Sequence, residues 1–151
     1  MDFAGAVISG LIATFVFTIT TRLTTLNQMG MERYFSTMFT RNRHAVLGLA
    51  LLFVAGCVIA LVYAALWSVD IGWPSYLYGL IFGVAQWLVV GLALAALPRV
   101  HAGVRAGTER PPGPFMVNIL GKWAFLAGLA NHVIFGLCIA YFYQFFRGRY
   151  G

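Results

Sequence analysis

The sequence predicts an all-α fold: a polytopic membrane protein forming a four-transmembrane-helix bundle in a single domain over residues 1–151. Three observations carry this prediction. Residues 4–21, 45–67, 76–97 and 123–146 are apolar over close to the roughly 20 residues a helix needs to cross the hydrocarbon core, and no Lys, Arg, Asp or Glu interrupts any of them. The chain is 61% hydrophobic and only 9% charged, against about 25% charged residues in a soluble domain, so it does not read as a water-soluble globule. Each apolar segment also carries small residues four positions apart, the spacing that lets membrane helices approach closely.

The first span follows Asp2, and no basic residue precedes Arg22. It therefore lacks the basic leader of a cleaved signal peptide and is expected to remain in the mature protein. The connection over residues 23–44 is too long for a turn. Met31, Tyr34, Phe35, Met38 and Phe39 recur in it at helical spacing among Arg33, Arg41 and Arg43. That pattern predicts an interfacial amphipathic helix over about residues 27–40, capped by Thr25 or Asn27, either tucked over the bundle or docking a partner.

The second and fourth spans contain Cys57 and Cys138. With neither Cys-x-x-Cys spacing nor a metal pattern, both are expected to act as small hydrophobes. A short connection, 68–75, carries Asp70 and no basic residue. Trp67, Trp73, Tyr76 and Tyr78 bracket it, and Tyr141, Tyr143 and Tyr150 follow at the end of the fourth span. These aromatics predict an anchoring belt at one membrane–water interface, or a lateral contact surface. The last connection holds Pro98, Gly103, Gly107, Pro111, Pro112, Gly113 and Pro114, which predicts an extended, partly mobile segment without regular structure.

Charge sets the expected orientation. Arg22, Arg33, Arg41, Arg43, Arg99, Arg105, Arg110 and Lys122 flank or fill the first and third connections, whereas Arg147 and Arg149 stand at the opposite end. Basic residues in short loops are retained in the cytoplasm, so both termini are expected outside, in a bacterial inner (plasma) membrane. The basic surface suits anionic lipid headgroups. With no folded basic module, no nucleic-acid partner is expected.

The packing ridges are Ala6, Gly10, Thr14 and Thr18 in the first span, and Gly48, Gly56, Ala60 and Ala64 in the second. The third has Gly79, Gly83, Gly91 and Ala95, and the fourth Ala124, Gly128, Gly136 and Ala140. The second and fourth spans also share a pattern. Gly56-x-x-Ile59-Ala60-x-x-Tyr63 matches Gly136-x-x-Ile139-Ala140-x-x-Tyr143, which suggests a duplicated helical hairpin with both copies in the same direction.

Polar residues at mid-depth are the candidate site: His132 and Asn131 in the fourth span, Gln86 in the third and Thr14 in the first. A polar group in hydrocarbon needs a partner. The leading expectation is a structural hydrogen bond from His132 to Gln86 or Thr14 that fixes register. Axial ligation of a haem or pigment by His132 is a second reading, disfavoured in its two-histidine form because His44 and His101 lie at or beyond the span ends. A proton-carrying His132 is a third, with no acidic residue in any span to complete a relay.

The run Asn131-His132-Val133-Ile134-Phe135-Gly136, with Tyr141 and Tyr143 after it, resembles small uncharacterised bacterial four-helix inner-membrane proteins. Gly10-Leu11-x-Ala13-Thr14 and Pro114-Phe115-x-x-Asn118-x-x-Gly121 fit the same group. The resemblance implies the four-span architecture and no particular activity. The function expected from the whole is a non-catalytic accessory or assembly subunit of a larger membrane complex, in the electron-transfer or photosynthetic class, bound to other integral membrane subunits and to lipid. The alternatives are a small bundle that binds a lipid, quinone, haem or pigment around His132, and an oligomeric transporter or channel. No nucleophile–base pair points to an enzyme.

Overall fold

The computed structural model describes residues 1–24, 31–40 and 44–147, and every regular element among them is helical. In chain order these are α1 (Phe3–Leu23), α2 (Met31–Ser36), α3 (Ala45–Ser68), α4 (Tyr76–Ala96), α5 (Ala102–Arg105), α6 (Val117–Leu120) and α7 (Trp123–Phe146). Helices α1, α3, α4 and α7 are long and apolar enough to cross a membrane, within two residues of the expected bounds at each end. Asp2 caps α1 by accepting from the Gly5 amide at 2.8 Å, and Ser75 caps α4 through the Tyr78 amide. Both satisfy amide groups that a helix start leaves open.

Helix α1 packs against α3 and α7, and α7 packs against α4. The order around the bundle is therefore α3, α1, α7, α4. The small-residue ridges make the close contacts. A methyl group at Gly10 would sit 2.9 Å from the Cα of Cys57, 3.0 Å from the Gly56 carbonyl oxygen and 3.0 Å from the Ala60 methyl. At Gly79 it would meet the Gly136 oxygen and the Ala140 methyl, each at 2.8 Å. The side chain of Thr14 leaves no room for a Cβ at Gly56, and the Gly79 carbonyl leaves none at Gly136. The two hairpins thus use the same contacts: Gly10 with Gly56 and Ala60 in one, Gly79 with Gly136 and Ala140 in the other. This is the register of the repeated sequence pattern.

At one end, Asp2, Asp70 and Arg147 line a single depression, and the Asp2 amide donates to the Tyr143 hydroxyl at 3.1 Å. The start of α1 and the end of α7 meet there. At the other end the two long connections are strapped together. The amides of Ala102 and Gly103 donate to the carbonyls of Met38 (3.2 Å) and Thr37 (3.0 Å). Arg22 reaches Glu32 at 3.8 Å, with the arginine 56% exposed, an exposed pair that contributes little to stability.

Three expectations change. The helix predicted over 27–40 is one short segment, α2, ending at Ser36, and residues 27–30, Thr25, Arg41, Arg43, Arg149 and Tyr150 lie outside the described residues. It is tucked over the bundle: Tyr34 is buried, and the backbone of Glu32 lies against Gly48 so closely that a Cβ there would overlap it. The Pro/Gly-rich connection is not irregular throughout. It holds α5, α6 and two 3₁₀ turns, Leu97–Arg99 and Pro114–Met116, each with proline at its start, where a missing N–H costs nothing. The aromatic belt is divided. Trp73, Tyr76 and Tyr141 are exposed, but Trp67 and Tyr143 are buried, their ring centroids 5.3 Å apart. Cys57 and Cys138 are both free thiols.

Candidate functional site: a cavity between α3 and α4

Helices α3 and α4 do not approach each other closely along their backbones. They meet through side chains in the half of the bundle nearer the termini. The Tyr63 hydroxyl donates to Gln86 Oε1 at 2.8 Å, and Phe82 packs on Tyr63 (5.1 Å) and stacks on Trp67 (5.8 Å). Below that point the helices diverge and leave a cavity of 370 Å³, within the roughly 300–1,000 Å³ of small-molecule sites.

The walls are apolar. Leu52, Ala55 and Ile59 come from α3, Val90 and Leu94 from α4, and Phe17 from α1. Tyr34 and Met38 close the end nearest α2. Val89 lies on the cavity wall and is 68% exposed, and its neighbour one turn on, Ala93, is also an exposed lining residue. The accessible part of the wall therefore includes α4, within the span. Among the described residues no Lys, Arg, Asp or Glu lines the cavity.

The floor is set by backbone strain. Phe115 and Met116 both adopt left-handed backbone, at φ 52° and φ 61°, a conformation rare for bulky residues. This turns the Phe115 ring onto Gly91, where no Cβ could be accommodated. The ring packs 4.5 Å from Trp87 and 5.0 Å from Phe125. Strain of this kind persists where the surroundings enforce it, and it concentrates at functional sites.

His132, Gln86 and Thr14 all line this cavity, so the structure brings together three of the four midplane residues. The fourth, Asn131, is 1% exposed and turned away, with its side-chain amide donating to the Ala127 carbonyl at 2.9 Å. The expected bond from His132 to Gln86 or Thr14 does not form. His132 Nδ1 lies 2.8 Å from the Gly128 carbonyl oxygen within its own helix, Thr14 donates to the Gly10 carbonyl at 2.7 Å, and Gln86 pairs with Tyr63 instead. Local backbone acceptors one turn away outcompete a partner across the bundle, as they commonly do for such side chains. Gly128 also departs from its expected packing role. It is half-buried and faces the Trp87 indole rather than another backbone.

Two histidines make an instructive pair. His101 is fully buried beneath the bundle, and both ring nitrogens are used. Nδ1 accepts from the Val104 amide at 3.2 Å, so Nε2 carries the hydrogen and donates to the Tyr34 carbonyl at 3.2 Å. Its role is to hold α2 against α5. In His132 the carbonyl at Nδ1 can only accept, so Nδ1 carries the hydrogen. Nε2 then holds a lone pair, and it has no partner among the described residues. His44 is exposed at the start of α3. Among the described residues no group of three His, Cys, Asp or Glu side chains could hold a metal ion.

Beside the cavity, Tyr34 is buried with its hydroxyl unpaired among the described residues. Burial pushes this phenol up to about 12, with the Glu109 carboxylate adding to the shift. Sequence reasoning missed Tyr63, Trp87 and Phe115 as parts of the site. Tyr63 was visible only as a repeat match to Tyr143, and Trp87 only as a gap in a ridge.

The chain matches no protein-family model, and neither a curated protein nor a solved structure matches it.

Proposed function

We propose that this membrane protein takes an amphiphilic, lipid-like molecule sideways from the bilayer into the cavity between α3 and α4. The observation that carries the reading is an apolar cavity whose α4 wall is exposed at Val89, paired with the unpaired Nε2 of His132 inside. An apolar pocket with a few convergent polar groups is the usual form of a small-molecule site. The test is gentle purification followed by extraction and mass analysis of bound lipophiles. The native protein should carry one, and Ala55→Trp, which fills the cavity, should lose it. Equal retention by both proteins would count against this site.

A role as a subunit bound to other integral membrane proteins is the second reading. Tyr76 and Tyr141 favour it: they stack at 6.3 Å on the outer surface and are 62% and 46% exposed, a flat aromatic face suited to a neighbouring helix. Native mass in mild detergent tests it, and a clean monomer would oppose it. The proposed setting is a bacterial inner membrane with both termini outside. The basic residues at the α2/α5 end support that orientation. Labelling of Asp2→Cys from outside and of Arg105→Cys only after permeabilisation is expected, and the reverse pattern would invert the protein.

A further inference from the structure

We infer that the occupant of the α3/α4 cavity is a long-chain amphiphile with an uncharged head that presents a hydroxyl hydrogen to His132 Nε2. The inference rests on the reading of the cavity as a ligand site and specifies its chemistry. Three features of the lining converge on it.

The first is the hydrogen assignment. The Gly128 carbonyl fixes the imidazole hydrogen on Nδ1, because a carbonyl oxygen cannot donate. A second proton would place a charge among walls on which no described residue offers a carboxylate, at high cost. The ring therefore shows the cavity an acceptor, and a group that only accepts hydrogen bonds does not satisfy it. The second is charge. With no Lys or Arg on the walls among the described residues, a phosphate or carboxylate head finds no cationic partner there. A neutral head enters without that cost.

The third is a supply of donors. The Tyr63 hydroxyl uses Gln86 Oε1, which leaves the Gln86 side-chain NH₂ with no partner among the described residues. The Trp87 indole N–H is likewise unbonded among the described residues, and both residues line the cavity. A hydroxyl both donates and accepts. It can give its hydrogen to His132 and receive one from Gln86 or Trp87, whereas an ether or a ketone can only receive. The apolar remainder of the molecule lies along Leu52, Ala55 and Val90 and leaves the bundle past Val89. Aliphatic alcohols and the hydroquinone form of membrane quinones share this chemistry.

The test uses the full chain in lipid nanodiscs. Bromododecane, whose bromine quenches a tryptophan in contact with it, serves as a probe of the cavity beside Trp87, with Trp87→Phe giving the background. Displacement of this probe is compared for dodecanol, its methyl ether, a decyl-tailed hydroquinone and the matching quinone. The hydroxyl compounds should bind about fivefold or more tightly than their hydrogen-free counterparts, the worth of one buried hydrogen bond. The difference should vanish in His132→Leu. Preference for the hydroquinone over dodecanol would assign the ligand to the quinol class, and the converse to aliphatic alcohols. Independently of that variant, ¹⁵N NMR of the native histidines provides a second reading, with His132 expected as the Nδ1–H form. Equal affinities within each pair, an Nε2–H tautomer, or a native visible band from a metal macrocycle on Nε2 would each overturn the hydroxyl inference and leave the cavity reading standing. Failure of bromododecane itself to quench Trp87 would remove the cavity reading.

Discussion

The two hairpins of this bundle meet along two seams, and only one of them is closed. Helices α1 and α7 pack tightly, with Ala6, Ala13, Phe135 and Ile139 buried in the common core. Helices α3 and α4 are the corresponding pair, yet their backbones stay apart and they meet through the side chains of Tyr63, Trp67, Phe82 and Gln86. The repeat shows where the difference lies. Gly10 and Gly79 make equivalent contacts, as do Gly56 and Gly136. Counting from them, Phe17 of the first hairpin corresponds to Gln86 of the second, and Leu52 corresponds to His132. All four line the cavity. At these two positions of one packing scheme the first hairpin supplies apolar wall and the second supplies polar groups. A symmetric bundle would have closed both seams or neither.

The largest expected effect lies in the hairpin contacts that both seams depend on. Gly136→Leu would drive a side chain into the Gly79 carbonyl and should cost about 3 kcal/mol or abolish folding. Ala55→Leu at the open seam should be nearly neutral, because it enters space already present. Thermal unfolding of both in the same detergent checks the contrast, and equal losses would erase the distinction between the seams.

Next in size is the one hydrogen bond that bridges α3 and α4 among the described residues. Tyr63→Phe should lower stability by about 1 kcal/mol. Gln86→Leu should not add fully to it in a double-mutant cycle, since both remove one interaction. Full additivity would mean the bond does not hold the seam.

His132→Leu should change stability by less than about 0.5 kcal/mol, because the hydrogen bond lost is internal to α7. A loss near 1 kcal/mol, coupled to Gln86, would restore the interhelical role expected at first.

A pH effect is expected at the end of the cavity nearest α2. The Tyr34 phenol is held up to about 12 by burial and by Glu109, against about 10 in an unfolded chain. Between those values the unfolded state has released a proton that the folded state retains, so stability should fall as pH rises from 10 to 12. Tyr34→Phe should flatten that part of the curve, and an identical curve would show that Tyr34 is not buried there.

Much of the frame is legible in the sequence. Uninterrupted apolar length gives the spans, and four-residue spacing gives Gly10, Gly79, Gly83 and Gly136 as contacts, because only a small residue permits two backbones to touch. The depth of His132 and Gln86 is legible too, but not their partners. Polar side chains on a helix have a local carbonyl always within reach, and span-level periodicity cannot choose between it and a neighbour. Which seam opens is likewise hidden, since α4 carries as good a small-residue ridge as α1. Phe115 illustrates the remaining gap. Pro111 to Pro114 reads as chain-breaking, yet it aims one ring at Gly91 through a strained backbone, and no local pattern announces that.

The central claim is that the α3/α4 seam is open to the bilayer at the depth of the spans. Trp87 tests it directly, because it is 5% exposed yet lines the cavity. In a variant with Phe at positions 67, 73 and 123, Trp87 is the sole tryptophan, and its fluorescence can be measured in bilayers of phospholipids brominated at mid-chain. The open seam predicts strong quenching, relieved when Ala55→Phe or a bulky apolar ligand fills the cavity. Emission as unquenched as that of a tryptophan sealed in a packed core would contradict it.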